Sequence, residues 1–322
     1  MNIGLAFDLQ TDALDARQAE FDPPVTIQAL TRALETLGHR VIPLGNAEDV
    51  RRHAQRLRDL DLVFNIAEGT EGRCREAQVP ILLDLHGVPY VGSDALALAV
   101  GLDKLMCKRI ARAEGLATPP WMALDHPDAL PHAIPFPFPM IVKPRWEGSG
   151  RGIDAGAVVN HRAALAARVA WLAQQCPGPA LIEEFIPGGE LIVCIIGNDP
   201  PVAYPAIQRP LDPASRLSCH VVTPAPTQTI APLTLDSSLD EDARRIALTM
   251  FRALGCRDMA RADLRVDAHG KAQFLEINPL PSFDPEGTIG LLAEYLGTTY
   301  PHIIRNILEA ALARSADAVP AT

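Results

Sequence analysis

The chain has 322 residues, 48% of them hydrophobic and 21% charged, a composition that excludes a disordered polymer and leaves room for two or three buried cores. A formal net charge of −10 argues against nucleic acid or an anionic membrane as the main partner, but not against a nucleotide, whose phosphates need only a local positive site. Six cysteines, at 74, 107, 176, 194, 219 and 256, show no paired spacing, so they read as reduced thiols of a cytoplasmic protein and support neither a zinc site nor a disulfide framework.

The first residues, Met-Asn-Ile-Gly-Leu-Ala-Phe-Asp, have no basic region followed by a long apolar run, and no stretch is long enough to cross a bilayer. Neither a signal peptide nor a membrane span is expected. Residues 2–7 read as a buried strand, followed by an acidic loop holding Glu20 and Asp22. Pro23-Pro24 leads into a helix with Ile27, Leu30, Leu34 and Leu37 at helical spacing, stopped by Gly38. Residues 41–44 and 60–65 are further strands, with an arginine-rich helix between them. A helix over 76–86 and a short strand over 88–91 complete a parallel α/β unit, residues 1–95. The loop from Asn65 to Glu76 is dense in charge at a strand's carboxyl end, where open α/β sheets bind ligands. It carries no phosphate-loop pattern.

One long helix is expected from Asp94 to Glu114, with Asp103-Lys104 in its middle. Residues 139–144 read as a strand ending on Lys143, and Glu147-Gly-Ser149-Gly-Arg-Gly152 as a mobile loop whose amides can close on phosphates. A helix over 163–174 follows, then strands over 180–186, 190–197 and 202–207. Residues 208–238 read as irregular, with five prolines between 210 and 232. Helices over 239–254, 287–297 and 301–313 flank a hairpin, and 314–322 reads as a frayed tail.

That hairpin, residues 261–279, carries the densest chemistry. Period-two alternation places Arg261 and Asp263 on one face of the first strand, and Glu276 and Asn278 on one face of the second. Symmetric closure around Asp267-Ala-His-Gly270 sets Asp263 opposite Glu276 and Arg261 opposite Asn278. Carboxylates so close repel unless something positive lies between them, and Mg²⁺ with nucleotide phosphates suits such oxygen donors. An amphipathic hairpin with a wet outer face accounts for the same residues equally well. Lys104 and Lys143 are candidate phosphate ligands, although each alone reads as a surface lysine; Lys143 is set apart by ending an apolar strand beside a glycine-rich loop.

The order of these motifs resembles the ATP-grasp superfamily and, within it, the D-alanine–D-alanine ligase family. The residues that carry the resemblance are Gly92-Ser-Asp-Ala95 through Leu102-Asp103-Lys104, Val142-Lys143-Pro144 with Glu147-Gly148-Ser149, and Phe274-Leu-Glu276-Ile-Asn278-Pro. The resemblance implies an α/β and α+β architecture: a Rossmann-like N-terminal substrate domain (1–95), a central ATP-grasp lobe (96–186), a C-terminal lobe with the metal and ATP site (187–313) and a tail (314–322). It implies that Lys104 and Lys143 contact phosphates and that Glu183, Glu184, Phe185, Ile186, Glu190 and Phe274 surround the adenosine. Asp263, Glu276 and Asn278 would bind two Mg²⁺, with Mn²⁺ as a substitute; Arg261 would steady the acyl phosphate, and Ser149 would place the transferred phosphate. The implied reaction forms an amide from a carboxylate and an amine at the expense of ATP, in a cytoplasmic homodimer.

The chain also departs from the family pattern. The glutamate that holds the first amino group has Glu20 as its equivalent, Glu68 stands where the family carries a small polar residue or histidine, and Ser282 lies in a changed run, Pro279-Leu-Pro-Ser282-Phe-Asp284-Pro-Glu286-Gly287. Asp284 and Glu286 would repel an acceptor's carboxylate and favour an amine or another cation. A specialised amino-acid ligase, acting between molecules or closing a ring, is therefore expected ahead of a true D-alanine–D-alanine ligase. A kinase-like or carboxylating enzyme of the same fold and a non-catalytic ATP-binding regulator are the rival readings.

Overall fold

The computed structural model describes residues 1–176, 178–221 and 235–317. Strand β1 (Asn2–Ala6) is apolar on both faces and lies inside a parallel sheet. The sheet order is β2-β1-β3-β4, with β2 at Arg40–Gly45, β3 at Leu62–Asn65 and β4 at Tyr90–Val91. Helix α1 (Pro24–Thr36) covers one face; α2 (Ala47–Arg52) and α3 (Gln78–His86) cover the other.

The single helix expected over 94–114 is two helices. α4 (Ala95–Leu102) stops at Asp103, which caps α5 (Lys104–Ala113) by accepting from the Leu105 and Met106 amides at 3.1 and 3.2 Å. Arg145 grips the same carboxylate at 2.7 Å through both Nε and an Nη, so a distant strand end fixes the break.

A second sheet, order β5-β8-β6-β7, is built from β5 (Trp121–Leu124), β6 (Met140–Pro144), β7 (Val158–Val159) and β8 (Ala180–Glu184), with α6 (Arg162–Gln175) packed on it. β5 and β7 were not anticipated. The third sheet runs β10-β9-β12-β13, with β11 also paired to β9. Its strands are β9 (Glu190–Ile196), β10 (Val202–Ala203), β11 (Ile207–Arg209), β12 (Met259–Val266) and β13 (Ala272–Asn278). The strand expected over 202–207 is thus two short ones. α5 and α7 (Ser237–Ala253) pack against the apolar face of this sheet.

The irregular segment expected over 208–238 holds the end of β11, a Leu211–Ser218 bridge and a 3-10 turn at Cys219–Val221, while α7 already starts at Ser237; residues 222–234 lie outside the described residues. α8 (Thr288–Tyr295) and α9 (Tyr300–Asp317) turn back onto the N-terminal sheet, so that β1, β3, α1, α8 and α9 share one core. α9 runs past the expected end at 313. Arg314 explains why: it meets the fully buried Asp258 at 3.0 and 2.8 Å and donates to the Tyr90 carbonyl at 2.8 Å. Of the expected tail, residues 318–322 lie outside the described residues.

Candidate active site

The carboxyl-end loops of the parallel sheet face the polar side of the β12–β13 hairpin, and β6 with the Ser149 loop closes the gap. The result is a cleft of about 540 Å³. Glu20 and Glu68 line it from the N-terminal sheet, Lys143 and Ser149 from the second sheet, and Arg261, Asp263, Glu276 and Asn278 from the hairpin. Ser282 and Asp284 line it as well. A smaller chamber of about 40 Å³ adjoins it and is lined by Glu76 and Lys104, sharing Glu20, Glu68, Ser149, Glu276 and Asn278 with the cleft.

The hairpin closes in the expected register, with Arg261 opposite Asn278 and Asp263 opposite Glu276; a bulge follows Asp263. The chain itself supplies the positive charge that these carboxylates require. Arg261 grips Asp263 at 2.7 and 2.8 Å and donates to Thr288 Oγ1 at 3.2 Å. Lys104 Nζ lies 3.2 Å from Glu276 Oε2 and donates to the Glu147 carbonyl at 2.6 Å. Burial alone would raise the Glu276 carboxyl, but Lys104, Lys143 and Arg261 outweigh it and hold it down at about 2. Glu276 is therefore anionic at any working pH. Two carboxylates and the Asn278 amide make a hard-oxygen set that fits Mg²⁺ only in part, with phosphate and water left to complete the shell.

Lys143 reaches the cleft from the end of β6, and its Nζ is 3.0 Å from Glu183 Oε2. The other oxygen of Glu183 faces Lys108 Nζ at 3.1 Å, and Lys108 donates to Thr118 Oγ1 at 2.8 Å. Lys108 is fully buried and Glu183 only 1% exposed. Burial pulls Lys108 down to about 8 against the attraction of Glu183.

The residues expected around the adenosine are not brought together on the cleft. Glu183 is paired with β5 on one side and β6 on the other, and its carboxylate is spent between two ammonium groups. Glu184 pairs with Met140, Phe185 lies buried 5.1 Å beneath the Arg265 guanidinium, and the Ile186 carbonyl accepts from Arg265 at 3.0 Å. Phe274 is fully buried in the core of the third sheet. Only Glu190 lines the cleft, 2.8 Å from Arg265.

On the N-terminal side Glu20 pairs with Arg75 at 2.6 Å, and Arg75 also donates to the Trp146 carbonyl at 3.0 Å. Glu20 Oε1 accepts from the Gly148 amide, and a Cβ at position 148 would collide with that oxygen. The tip of the glycine-rich loop is thus tied to the first strand's loop, and Ser149 next to it has a left-handed φ of 48°. Burial drives Glu68 well above the usual carboxylate range, with Glu76, Glu20 and Asp22 pushing the same way. Burial likewise takes Glu76 up to about 8 and Asp22 up to about 7, the latter with help from Asp8 and Asp284.

Four residues of the site were not singled out from sequence: Arg75, Glu76, Lys108 and Arg265. Arg265 continues the alternation of Arg261 and Asp263, and Lys108 stands one helical turn beyond Lys104, so both spacings were open to view.

Comparison with known proteins gives the family and the fold. The family model described as D-ala D-ala ligase C-terminus matches residues 110–309, more than half of the chain. A protein named D-alanine–D-alanine ligase from Synechococcus sp. (strain JA-3-3Ab) is 33% identical over 300 residues, covering 91% of this chain and 90% of its own. The fold is similar to D-alanine–D-alanine ligase from Bacillus anthracis complexed with ATP, with a TM-score of 0.77 at 22% identity, over 98% of this chain and 99% of that one. It is also similar to the VanG D-Ala:D-Ser ligase of Enterococcus faecalis, with a TM-score of 0.73 at 18% identity, over 96% and 99% of the two chains. On the strength of the family match and the Synechococcus relative, the chain belongs to the D-alanine–D-alanine ligase family, ATP-grasp enzymes that form a carbon–nitrogen bond as ATP becomes ADP and phosphate.

Proposed function

We propose that this enzyme joins an amino-acid carboxylate to an amine, and that its substrates are not two molecules of D-alanine. A carboxylate oxygen attacks the γ-phosphorus of ATP, the bond to ADP breaks, and an acyl phosphate forms. The amine nitrogen then attacks the acyl carbon, phosphate leaves, and the nitrogen loses a proton. Lys104 and Lys143 offset phosphate charge, and Arg261 steadies the acyl phosphate and the tetrahedral carbon after it. Asp263, Glu276 and Asn278 hold the divalent ions, two Mg²⁺ or Mn²⁺ in their place, which neutralise the terminal phosphates when bound. Ser149, on the loop tied to Glu20, helps to seat the transferred group and to keep water from the acyl phosphate.

The observation that carries the substrate reading is the acidic rim of the cleft. Asp284 lines it close enough to Asp22 to disfavour the Asp22 charge, and Glu286 lines the same cleft. An incoming acceptor carboxylate would meet repulsion there, whereas an amine or other cation would meet attraction. Three working units (1–95, 96–186 and 187–313), a cytoplasmic location supported by six free cysteines, and a homodimer supported by exposed Ile81, Leu85 and Leu96 complete the proposal.

The test is ADP formation with Mg²⁺ over a panel of amino acids of both hands, singly and in pairs, with products identified by mass. Amide product from a pair other than D-alanine with itself is expected. Fastest turnover with D-alanine alone would overturn the substrate reading. ADP without any amide would overturn the ligation.

A further inference from the structure

The chamber beside the cleft contains a buried carboxyl group that the chain does not satisfy. Glu76 is 5% exposed, and its Oε2 receives no hydrogen bond from any described residue. A buried carboxylate oxygen left without a donor is costly, and native structures seldom leave one so without a reason. The cations within reach are already engaged: Arg75 on Glu20 and the Trp146 carbonyl, Lys104 on Glu276 and the Glu147 carbonyl. Glu68 lines both the chamber and the main cleft, so the chamber opens onto the substrate's path.

Resting on the ligase reading above, we infer that Glu68 and Glu76 bind a second ammonium group of the substrate, so that the amino acid ligated here is a diamino acid whose side-chain ammonium enters the chamber. Size and charge select this occupant. A chamber of about 40 Å³ accepts a group about as large as a water molecule, so a primary ammonium fits and a planar guanidinium does not. A water could donate to Oε2 but would bring no positive charge to let Glu68 and Glu76 ionise side by side. Among the described residues no group of three or more carboxylate, thiol or imidazole side chains is placed to hold a metal ion, so the chamber's own acids do not form such a set. An ammonium brings three donors and one positive charge, which suit the Glu68 and Glu76 carboxyls lining one chamber. Glu20 is held by Arg75 and the Gly148 amide, so it serves this site as a neighbour and not as the main acceptor.

The test is calorimetric binding to the full chain with Mg²⁺ and a non-hydrolysable ATP analogue. Probes are 2,3-diaminopropionate, 2,4-diaminobutyrate, ornithine and lysine, each against its neutral counterpart: alanine, 2-aminobutyrate, norvaline and norleucine. At least one diamino acid should bind more than tenfold tighter than its counterpart, and Glu76→Gln should bring that ratio near one. Glu68→Gln should do the same, and thermal melting with nucleotide binding reports whether each variant is folded. Equal affinities in every pair, or a preference that survives both substitutions, would overturn the inference. ADP formation read alongside keeps the two claims apart: ligation indifferent to side-chain charge removes this site alone, and charge-selective binding without ligation removes the ligase reading alone.

Discussion

Lys108→Met removes one charge from a buried line of three and leaves its length nearly unchanged. Glu183 then keeps only Lys143 at 3.0 Å, and the Thr118 hydroxyl loses the donor at 2.8 Å while still donating to the Phe274 carbonyl at 2.7 Å. Breaking a buried pair by deleting one partner costs about 3–5 kcal/mol. Lys143 remains to neutralise Glu183 and the variant is spared the burial cost of the Lys108 charge, so the two effects oppose each other and the melting temperature should stay within roughly 4 °C of wild type at pH 7. The substitution also reaches the cleft. With Lys108 gone, the whole attraction of Glu183 falls on Lys143, whose ammonium is held back from an incoming phosphate. KM for ATP should rise about tenfold, equivalent to ~1.4 kcal/mol, with a smaller change in kcat. A third readout is pH. In the folded protein Lys108 gives up its proton near 8, whereas its ordinary value is 10.5. Between those limits the unfolded chain binds more protons, so this group makes the wild type more stable as pH rises, and the variant lacks that rise. Coupled ADP assays and denaturant titrations at pH 7, 8.5 and 10 measure all three. An unchanged KM for ATP in a folded variant would refute the argument that Lys108 positions Lys143 through Glu183.

Glu276→Gln keeps a hydrogen-bond partner for Lys104 but removes an anion that faces Asp263; turnover should fall at least ~100-fold and half-saturation by Mg²⁺ should rise, both read from ADP release over a metal titration. Arg261→Lys cannot reproduce the two-point grip on Asp263, so kcat should drop about 100-fold with little change in KM for ATP, measured under saturating substrates. Glu76 keeps its proton up to about 8 in the folded protein, against an ordinary value of 4.5. Wild-type stability should therefore decline as pH rises through that window, because the unfolded chain has already released the proton, and Glu76→Gln should flatten the decline in thermal melts taken from pH 5 to 8.

The hairpin was legible because alternation and a short polar turn leave one register in which its polar residues share a face, and that register is the one observed. The parallel sheet was legible for a similar reason, since apolar runs separated by helix-length segments admit few topologies. The break at Asp103 was not: an aspartate inside a helical pattern becomes a cap only when something far away holds its carboxylate, and Arg145 is 42 residues on. Lys108 escaped because a lone lysine on a helix reads as solvated until its surroundings are known. The surroundings of residues 183–186 were hidden at the same level of organisation. Strand-end residues 183–186 are assigned by motif, but whether a side chain turns toward ligand or toward a buried lysine depends on the neighbouring strands. Arg75 and Glu76 were visible as part of a charged loop, while the burial that gives Glu76 its consequence comes from packing the loop beneath Lys104 and Ser149.

The two halves of the cleft are charged on opposite plans. On the hairpin side each carboxylate already holds a cation: Asp263 with Arg261, Glu276 with Lys104, Glu190 with Arg265. A ligand there meets paired charges, and anionic phosphates with their counter-ions can enter by exchanging partners, so the fixed charge near them changes little. On the N-terminal side Arg75 serves Glu20, while Glu68, Glu76 and Asp22 crowd together and hold protons above the usual carboxylate range. A neutral or anionic guest there relieves nothing, whereas an ammonium replaces protons with a matched charge and gains binding free energy from the repulsion it removes. The division follows from position in the fold: the antiparallel hairpin alternates acids with arginines along one face, and the parallel sheet gathers acids from separate loops at its carboxyl end without bringing an equal number of bases. Metal-bound nucleotide suits the first half and a cationic amino acid the second. If either half accepted the other's ligand equally well, charge would not be what sorts them, and the salt dependence of each binding step would show it: nucleotide affinity in the larger cleft should fall more steeply as ionic strength rises than the affinity of a diamino acid, whose ammonium is screened less in its buried chamber.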